Sequence, residues 1–262
     1  MAKAPAQNPV EVTGNVMFYE QPEPLNKEKH GKFGVSQISK PFEFMAKQHF
    51  IPLTAQEFGA AAASYPVVFA GEEKNPIAIM GIRQAENLFV EEGQFAQDYY
   101  MPAFARRYPF VLANDEGNER FVVCVDVKAE CVTNKKPERP FFNGDAASDF
   151  TTEAFQFLQN FERDRRSTTQ MVQRFKELDL FEMKDMHFQG QNPDGSPGER
   201  QKIAEYYAIT EERLRGLDEK TVKELNDNGM MAAAHAHMIS LGNWQRLVNM
   251  TLRRAAAEQA AG

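Results

Sequence analysis

Short apolar runs separated by turn residues dominate the first half of the chain. Two strands joined by the turn "GEEKN" are predicted over 65–70, "YPVVFA", and over 76–82, "PIAIMGI". A third strand is predicted over the β-branched run 120–127, "RFVVCVDV", and it pairs with 109–113, "PFVLA". The polar segment 133–148, which contains two prolines, predicts a loop. The first half is therefore expected to consist mainly of strands.

Apolar residues recur at helical spacing through most of the second half. One long helix is predicted over 151–181. Its apolar face, extended through the polar middle of the helix, includes Arg165, whose side chain is therefore expected to point toward the core side. Further helices are predicted after residue 210, and the last of them has Trp244 on its buried side. Between these helices, a turn-rich segment with strand-like flanks predicts a hairpin at about 185–208.

Together these patterns predict an α+β fold, in which a mainly antiparallel sheet from the N-terminal half packs against the C-terminal helices. The whole chain, residues 1–262, is expected to form a single domain. Residues 1–14 are polar and contain proline, which predicts a flexible arm. A strand-rich part is predicted over 15–132 and a helix-rich part over 149–262.

Composition and charge exclude several classes of function. A formal net charge of −7 and a pI near 5.4 argue against nucleic-acid binding, which needs a broad basic surface, and against an anionic membrane surface. No stretch approaches the roughly 20 apolar residues that span a bilayer. The first residues contain no apolar signal segment, and Cys124 and Cys131 do not make a disulfide framework. A cytoplasmic protein with two free thiols is expected, and export without such a signal stays open.

The sequence contains no motif for metal, cofactor or nucleophilic chemistry. His235 and His237 lie two residues apart in a predicted helix, where they face opposite sides and cannot bind one metal ion together. Neither cysteine has a second cysteine or a histidine at a zinc-binding spacing. No phosphate-binding glycine loop, dinucleotide fingerprint or nucleophile elbow is present. The sequence therefore predicts no catalytic residue, no metal site and no cofactor.

The stretch "YYMPAFARRYPFVL" (99–112) places two arginines among aromatic and apolar residues. Arg106 and Arg107 precede a predicted strand, and adjacent residues of an extended segment point to opposite faces. One guanidinium should therefore reach solvent or a cleft, while the other lies under the sheet against a carboxylate or carbonyl. Arg165, on the apolar face of the long helix, has the same double interpretation. Each arginine either anchors the fold or lines a pocket, and the anchor is favoured.

Four stretches resemble the bacterial SapC family in wording and in order. They are "MGIRQAENLFVEEGQF", "YYMPAFARRYPFVL", "RFVVCVDV" and "HMISLGNWQRL", and the resemblance covers residues 50 to 252 approximately. The family takes its name from an association with bacterial surface layers, and the resemblance implies no established reaction. Relatives occur near genes for flavin-dependent halogenases, iron-dependent hydroxylases and outer-membrane receptors, which implies an accessory role.

The resemblance and the composition together predict a non-enzymatic cytoplasmic accessory or binding protein, associated with surface-layer or cell-envelope systems. A protein partner is expected, without nucleic acid or membrane insertion, and a homo-oligomer stays open. The alternative is an enzyme, or the partner of a halogenase or hydroxylase, that binds an anionic small molecule in an arginine-lined pocket. Its candidate residues are Arg83, Asn87, Arg106, Arg107, Tyr108 and Arg165. If the arginines gather in one concave site without carboxylate partners, the pocket is favoured. If each arginine is instead paired and buried, the residues stabilise the fold.

Overall fold

The computed structural model of the chain describes residues 17–115, 120–191 and 196–261. The arm predicted over 1–14 lies outside these residues, as does the centre of the turn in the predicted hairpin. The strands are β1 (Pro22–Pro24), β2 (Gly34–Val35), β3 (Phe50–Pro52), β4 (Val67–Ala70), β5 (Asn75–Ile79), β6 (Val90–Glu91), β7 (Gln94–Phe95), β8 (Phe110–Asp115), β9 (Arg120–Asp126), β10 (Val132–Thr133), β11 (Arg139–Pro140), β12 (Phe142–Asn143), β13 (Ala146–Ala147), β14 (Phe181–Gln191) and β15 (Pro197–Ile209).

The helices are α1 (Lys27–His30), α2 (Phe58–Ala62), α3 (Ala103–Arg106), α4 (Asp149–Glu177), α5 (Glu211–Arg215), α6 (Glu219–Asp227), α7 (Met230–Ser240) and α8 (Trp244–Ala261). Three short 3-10 helices cover Glu43–Met45, Ala55–Glu57 and Leu241–Asn243. No helix in the described part of the chain is both long enough and apolar enough to cross a membrane.

The described residues divide into two compact units. The first unit contains the residues up to Pro41 together with Arg107–Asn160, and the second contains Phe42–Arg106 together with the residues from Phe161 onward. The chain therefore passes from one unit to the other between Arg106 and Arg107, in the middle of the arginine pair. It passes again within helix α4, which is continuous through that point.

A five-stranded antiparallel sheet is the largest sheet of the second unit. Its strand order is β14-β15-β4-β5-β3, so a hairpin from the C-terminal half extends a sheet that begins in the N-terminal half. The strands predicted at 65–70 and 76–82 form β4 and β5, with Val67 opposite Ala78. Since every pair in this sheet is antiparallel and the C-terminal region is helical, the predicted α+β fold is confirmed.

The C-terminal hairpin is longer than the predicted range. Its strands β14 and β15 pair from Phe181 opposite Ile209 to Gln191 opposite Pro197, with a bulge after Met186. Only the base of the hairpin joins the sheet, where Tyr207 of β15 is opposite Phe69 of β4. The rest of β15 pairs with β14 alone among the described strands.

Helices α4, α7 and α8 bring apolar side chains to the second unit. Phe69 of β4 lies in an aromatic cluster, with its ring centroid 4.9 Å from Phe181 and 5.0 Å from His237 of α7. Phe175 of α4 adds a ring 6.2 Å from Phe181. Trp244 of α8 is 6% exposed, so the prediction that it is buried is confirmed. Aromatic pairs of this kind stabilise a core beyond the area that they bury.

The first unit contains two three-stranded antiparallel sheets, β1-β9-β8 and β10-β2-β11. The predicted pairing of 109–113 with 120–127 is confirmed, because Phe110 of β8 is opposite Val125 of β9. Both residues are buried in one apolar cluster with Phe141 and Leu158. The ring centroids of Phe110 and Phe141 are 5.4 Å apart.

The segment 133–148 was expected to be a loop, and that prediction is wrong in part because β11, β12 and β13 lie within it. Phe141 accounts for the order, since its side chain is fully buried and its N–H donates to the Phe33 carbonyl over 2.9 Å. Gly34 of β2 allows the close approach of β11, because a Cβ there would lie 2.3 Å from the Arg139 carbonyl oxygen. Strands of two residues leave no periodicity that a sequence pattern can reveal.

Candidate functional site

The arginine pair does not lie on one extended segment. Arg106 is the last residue of α3, and Arg107 lies in the turn that follows it, so the prediction of an extended segment is wrong. The expected difference in environment is nevertheless confirmed, because Arg106 is exposed and Arg107 is half-buried. The cause is the end of a helix, at which the chain leaves one compact unit and enters the other.

Glu57, a buried carboxylate of the second unit, organises the surroundings of Arg106. Its Oε2 accepts from the Thr54 backbone N–H over 2.8 Å and from the Thr54 hydroxyl over 2.9 Å. Its Oε1 accepts from the Tyr100 hydroxyl over 3.0 Å and from the backbone N–H of Ala103, the first residue of α3, over 2.6 Å. Four donors therefore satisfy both oxygens, as a buried carboxylate requires.

Arg106 reaches this network through Tyr100. Its Nη2 donates to the Tyr100 hydroxyl over 3.0 Å, and its guanidinium carbon lies 5.6 Å from the centre of the Tyr100 ring. Burial and the negative charge of Glu57 raise the pKa of Tyr100 to about 12. The phenol therefore stays protonated at neutral pH, so it donates to Glu57 while accepting from Arg106.

Two further hydrogen bonds fix Tyr100 to the end of α2. The Tyr65 hydroxyl donates to the Tyr100 carbonyl, and the Tyr100 N–H donates to the Ser64 hydroxyl oxygen over 3.0 Å. Burial and the charge of Glu57 raise the pKa of Tyr65 well above its usual range. The first part of the arginine-containing stretch is thus an anchored segment, and both oxygens of Glu57 accept hydrogen bonds from its own chain.

Arg107 and Tyr108 lie in the first unit beside Tyr19. The Tyr19 hydroxyl donates to the Phe110 carbonyl over 2.6 Å and accepts a hydrogen bond from Arg107. The Tyr108 ring packs edge-on against the Tyr19 ring, with centroids 5.4 Å apart. Burial raises the pKa of Tyr19, and the nearby Arg107 partly opposes that rise. Arg107 therefore donates to a buried phenol, whereas Arg106 donates to a half-buried one.

Arg83 and Asn87 belong to a different part of the second unit. Arg83 lies 3.2 Å from a carboxylate oxygen of Glu86 and 3.2 Å from one of Glu258 in α8. Asn87 is buried, and its amide nitrogen donates to the Met45 carbonyl over 3.1 Å. Arg254 of α8 donates to the Asn87 carbonyl over 3.2 Å. Helix α8 therefore contacts both Arg83 and Asn87, the two ends of the segment 83–87.

Arg165 does not point toward the core, and that prediction is wrong. Its side chain is 56% exposed and donates twice to Glu162, over 2.8 Å and 2.7 Å. The helical spacing places its Cα beside the apolar face, but the long side chain extends out to solvent. Thr168, one turn later, is a buried polar residue of α4, and its hydroxyl oxygen accepts from the Ala55 N–H over 2.8 Å.

The contacts of the six candidate residues therefore fall into different groups. Arg83 and Asn87 are joined through α8, Arg106 belongs with Glu57 and Tyr100, and Arg107 and Tyr108 belong with Tyr19. Arg165 pairs with Glu162 on α4. Arg83 and Arg165 have carboxylate partners, as expected for scaffold residues rather than for an anion pocket.

Comparison with known proteins identifies the family. The SapC family model matches residues 25–247, which is most of the chain. The chain belongs to the SapC family. Neither a curated protein nor a solved structure matches it.

In this SapC chain, the family-like stretch "SLGNWQR" (240–246) holds the end of α2. Asn243 donates to the Ala62 carbonyl over 2.7 Å, and Arg246 donates to the carbonyls of Ala63 and Ser64 over 2.7 Å and 2.8 Å. The last carbonyls of a helix have no partner within it, and a cation there also complements the helix dipole. Sequence reasoning missed these residues, although the match of "SLGNWQR" to the family marked the stretch.

The histidines of α7 lie on opposite sides of the helix, as the spacing predicted. His237 is fully buried, and its Nδ1 donates to the Val67 carbonyl over 2.7 Å while its Nε2 accepts from the Ile209 N–H over 3.0 Å. Burial lowers the pKa of His237 to about 4, so the ring is neutral at pH 7. His235 is exposed. Within the described residues, no three His, Cys, Asp or Glu side chains form a group that could hold a metal ion.

Proposed function

We propose that this SapC-family chain is a non-enzymatic accessory protein, which works in the cytoplasm by binding another protein of a surface-layer or cell-envelope system. The observation that carries the proposal is the engagement of the candidate arginines within the chain itself. Arg83 meets two carboxylates, and Arg165 makes a two-pronged contact with one. An incoming anion would have to displace these partners, which makes an arginine-lined pocket the weaker alternative.

An uncharged, exposed face on α7 supports a protein partner. The helix contains no Asp, Glu, Lys or Arg, and a helix of this composition is normally covered on all sides. Ala232, His235 and Ile239 nevertheless form an exposed stripe at helical spacing, and Ile239 is 72% exposed. Apolar side chains that are exposed to solvent in a contiguous patch commonly mark a protein contact.

The test starts with tagged chain purified from its native bacterium, with bound proteins identified by mass spectrometry. The partner is then produced separately, and its binding to the purified chain is measured by calorimetry. Ile239→Glu should weaken binding about tenfold or more, because it places an unpaired charge in the contact. Leu252→Glu, at an exposed apolar residue of α8, is the matched control and should leave binding unchanged.

Failure to find any protein that binds in the purified system would overturn the proposal. The alternative predicts a different result, namely a small anion that native mass spectrometry detects on the purified chain. In that case Arg106→Lys should lose the anion, whereas Ile239→Glu should retain it.

A further inference from the structure

Strand β14 ends the five-stranded sheet and leaves one long edge open. It contains 11 residues and pairs with β15 on one side, and no other described strand pairs with its outer side. Natural proteins usually protect such an edge with proline, with a very short strand or with a covering segment. β14 contains no proline and is about twice the usual strand length.

The base of this edge carries an apolar residue between two opposite charges. Met183 is 53% exposed, although large apolar residues are usually buried. Glu182 and Lys184 flank it, and each side chain is 41% exposed. The Lys184 ammonium contacts the Glu182 carboxylate within the same strand, because residues two apart share a face.

We propose that β14 pairs antiparallel with β14 of a second copy of the chain, about a two-fold axis beside Met183. Residues opposite each other across such an axis share a face of the sheet. In this register Met183 lies opposite Met183 of the second copy. Glu182 lies opposite Lys184 of the second copy, and the symmetry repeats that pair. The edge is therefore self-complementary in charge, with an apolar centre.

Neighbouring registers are less favourable. An axis beside Lys184 would place two lysines opposite each other, and an axis beside Asp185 would do the same with two aspartates. Like charges directly opposite each other destabilise a strand pair. An axis beside Glu182 would likewise place two glutamates opposite each other, so among the registers centred on residues 182 to 185 the charge order selects the one centred on Met183. The pairing is independent of the proposed function, because it uses neither α7 nor a second kind of protein.

The first test is a charge swap followed by sedimentation equilibrium of the purified full-length chain. The wild-type chain should dimerise with increasing concentration. Glu182→Lys and Lys184→Glu should each weaken the dimer about tenfold, since each places like charges opposite each other twice. The double variant Glu182→Lys/Lys184→Glu should restore it. Lys223→Glu, which makes the same charge change on α6, should dimerise like the wild type.

The second test reads the register by oxidative cross-linking. Met183→Cys should form a disulfide-linked dimer, because the two residues 183 are directly opposite each other. Asp185→Cys should not, because the two residues 185 would be about 14 Å apart along the strands. A wild-type chain that stays monomeric at every concentration would overturn the inference. Failure of the double swap to restore the dimer, or stronger cross-linking at 185 than at 183, would also overturn it. Ile239→Glu should leave the dimer intact, which separates this result from the test of the protein partner.

Discussion

Arg106 and Arg107 are neighbours in the chain, but their guanidinium groups donate to different phenols, those of Tyr100 and Tyr19. Arg106 is exposed and donates to a phenol that is already held by Glu57. Arg107 is half-buried and donates to the Tyr19 hydroxyl, which itself donates to a backbone carbonyl. Lysine keeps the charge at either position but lacks the planar fork of arginine, so the same substitution should have unequal effects.

Arg107→Lys should lower the free energy of unfolding by about 1–2 kcal/mol, because the hydrogen bond to the buried Tyr19 is lost or distorted. Arg106→Lys should change it by less than about 0.5 kcal/mol, as is usual for exposed positions. Urea denaturation at neutral pH, followed by circular dichroism, measures both. The control is Arg107→Lys made in the Tyr19→Phe variant. Without the Tyr19 hydroxyl, the lysine should lower the free energy of unfolding by less than it does in the wild-type chain. Equal and small effects at both positions would contradict this account.

Arg165 and Thr168 show that the position of a residue on a helix does not by itself locate its polar group. The helical pattern placed Arg165 beside the apolar face correctly, and its guanidinium nevertheless contacts Glu162 in solvent. Thr168 on the same face is buried, because its short side chain cannot extend to the surface as that of Arg165 does. A periodic pattern locates the Cα of a residue, and the length of the side chain decides where its polar group lies.

At the scale of elements, His237 connects helix α7 to two strands of the sheet. It donates to β4 at Val67 and accepts from β15 at Ile209. These strands pair with Tyr207 opposite Phe69, so the imidazole adds two hydrogen bonds close to that pairing. Both ring nitrogens are occupied, and the neutral ring is the form that fits. Protonation would replace the accepting nitrogen with a second donor, facing the Ile209 N–H.

The lowered pKa of His237 predicts a loss of stability on acidification. Its pKa is about 4 in the folded protein, compared with about 6.5 in an unfolded chain. Between these values the unfolded chain binds a proton that the folded one does not, so stability falls as the pH falls. The loss should reach about 2 kcal/mol at pH 5. Urea denaturation at pH 7 and pH 5 measures it.

His237→Asn is the matched control for that measurement. The variant should be less stable at pH 7, because the Ile209 N–H loses its acceptor. Its stability should fall less between pH 7 and pH 5, since the buried imidazole is gone. His49, whose pKa is lowered by burial, and the carboxylates titrate in both proteins and therefore cancel in the comparison. Parallel pH curves for the two proteins would show that His237 does not control the loss.

At the scale of the whole molecule, the two compact units contain different natural probes. Cys124 and Cys131 both lie in the first unit, and neither forms a disulfide in the structure. Burial raises the pKa of each thiol to about 11, so both should react slowly at neutral pH while the unit is folded. Trp244, the single tryptophan of the chain, lies in the second unit.

We expect thiol labelling and tryptophan fluorescence to report the same urea midpoint. The physical reason is helix α4, which runs unbroken from the first unit into the second, so that unfolding either unit disrupts hydrogen bonds at the passage. Coincident transitions are the behaviour of a single cooperative domain, as predicted for residues 1–262. Labelling of the cysteines at a urea concentration that leaves the fluorescence unchanged would instead indicate two separate domains. The fully unfolded chain, without reductant, should expose two thiols.

The sequence by itself determined the features that depend on local geometry. The strands at 65–70 and 120–127 follow from β-branched runs, and the helical spacing of the second half predicts both α7 and the burial of Trp244. Periodicity of this kind is set by the backbone of one element and is therefore readable without the rest of the fold. Four stretches of sequence were also enough to identify the family.

Only the tertiary structure decided which polar groups meet. Glu57 accepts from Ala103, 46 residues away, and Arg246 donates to Ala63, 183 residues away. Such partners share no local pattern, because they come together only when distant elements pack and buried polar groups must all be satisfied. The same requirement gave Arg83 and Arg165 carboxylate partners within their own chain, where the sequence had left both an anchor and a pocket open. Among the described residues it also left the outer edge of β14 without a neighbouring strand, and a sequence pattern that identifies a strand cannot show which of its edges is unpaired.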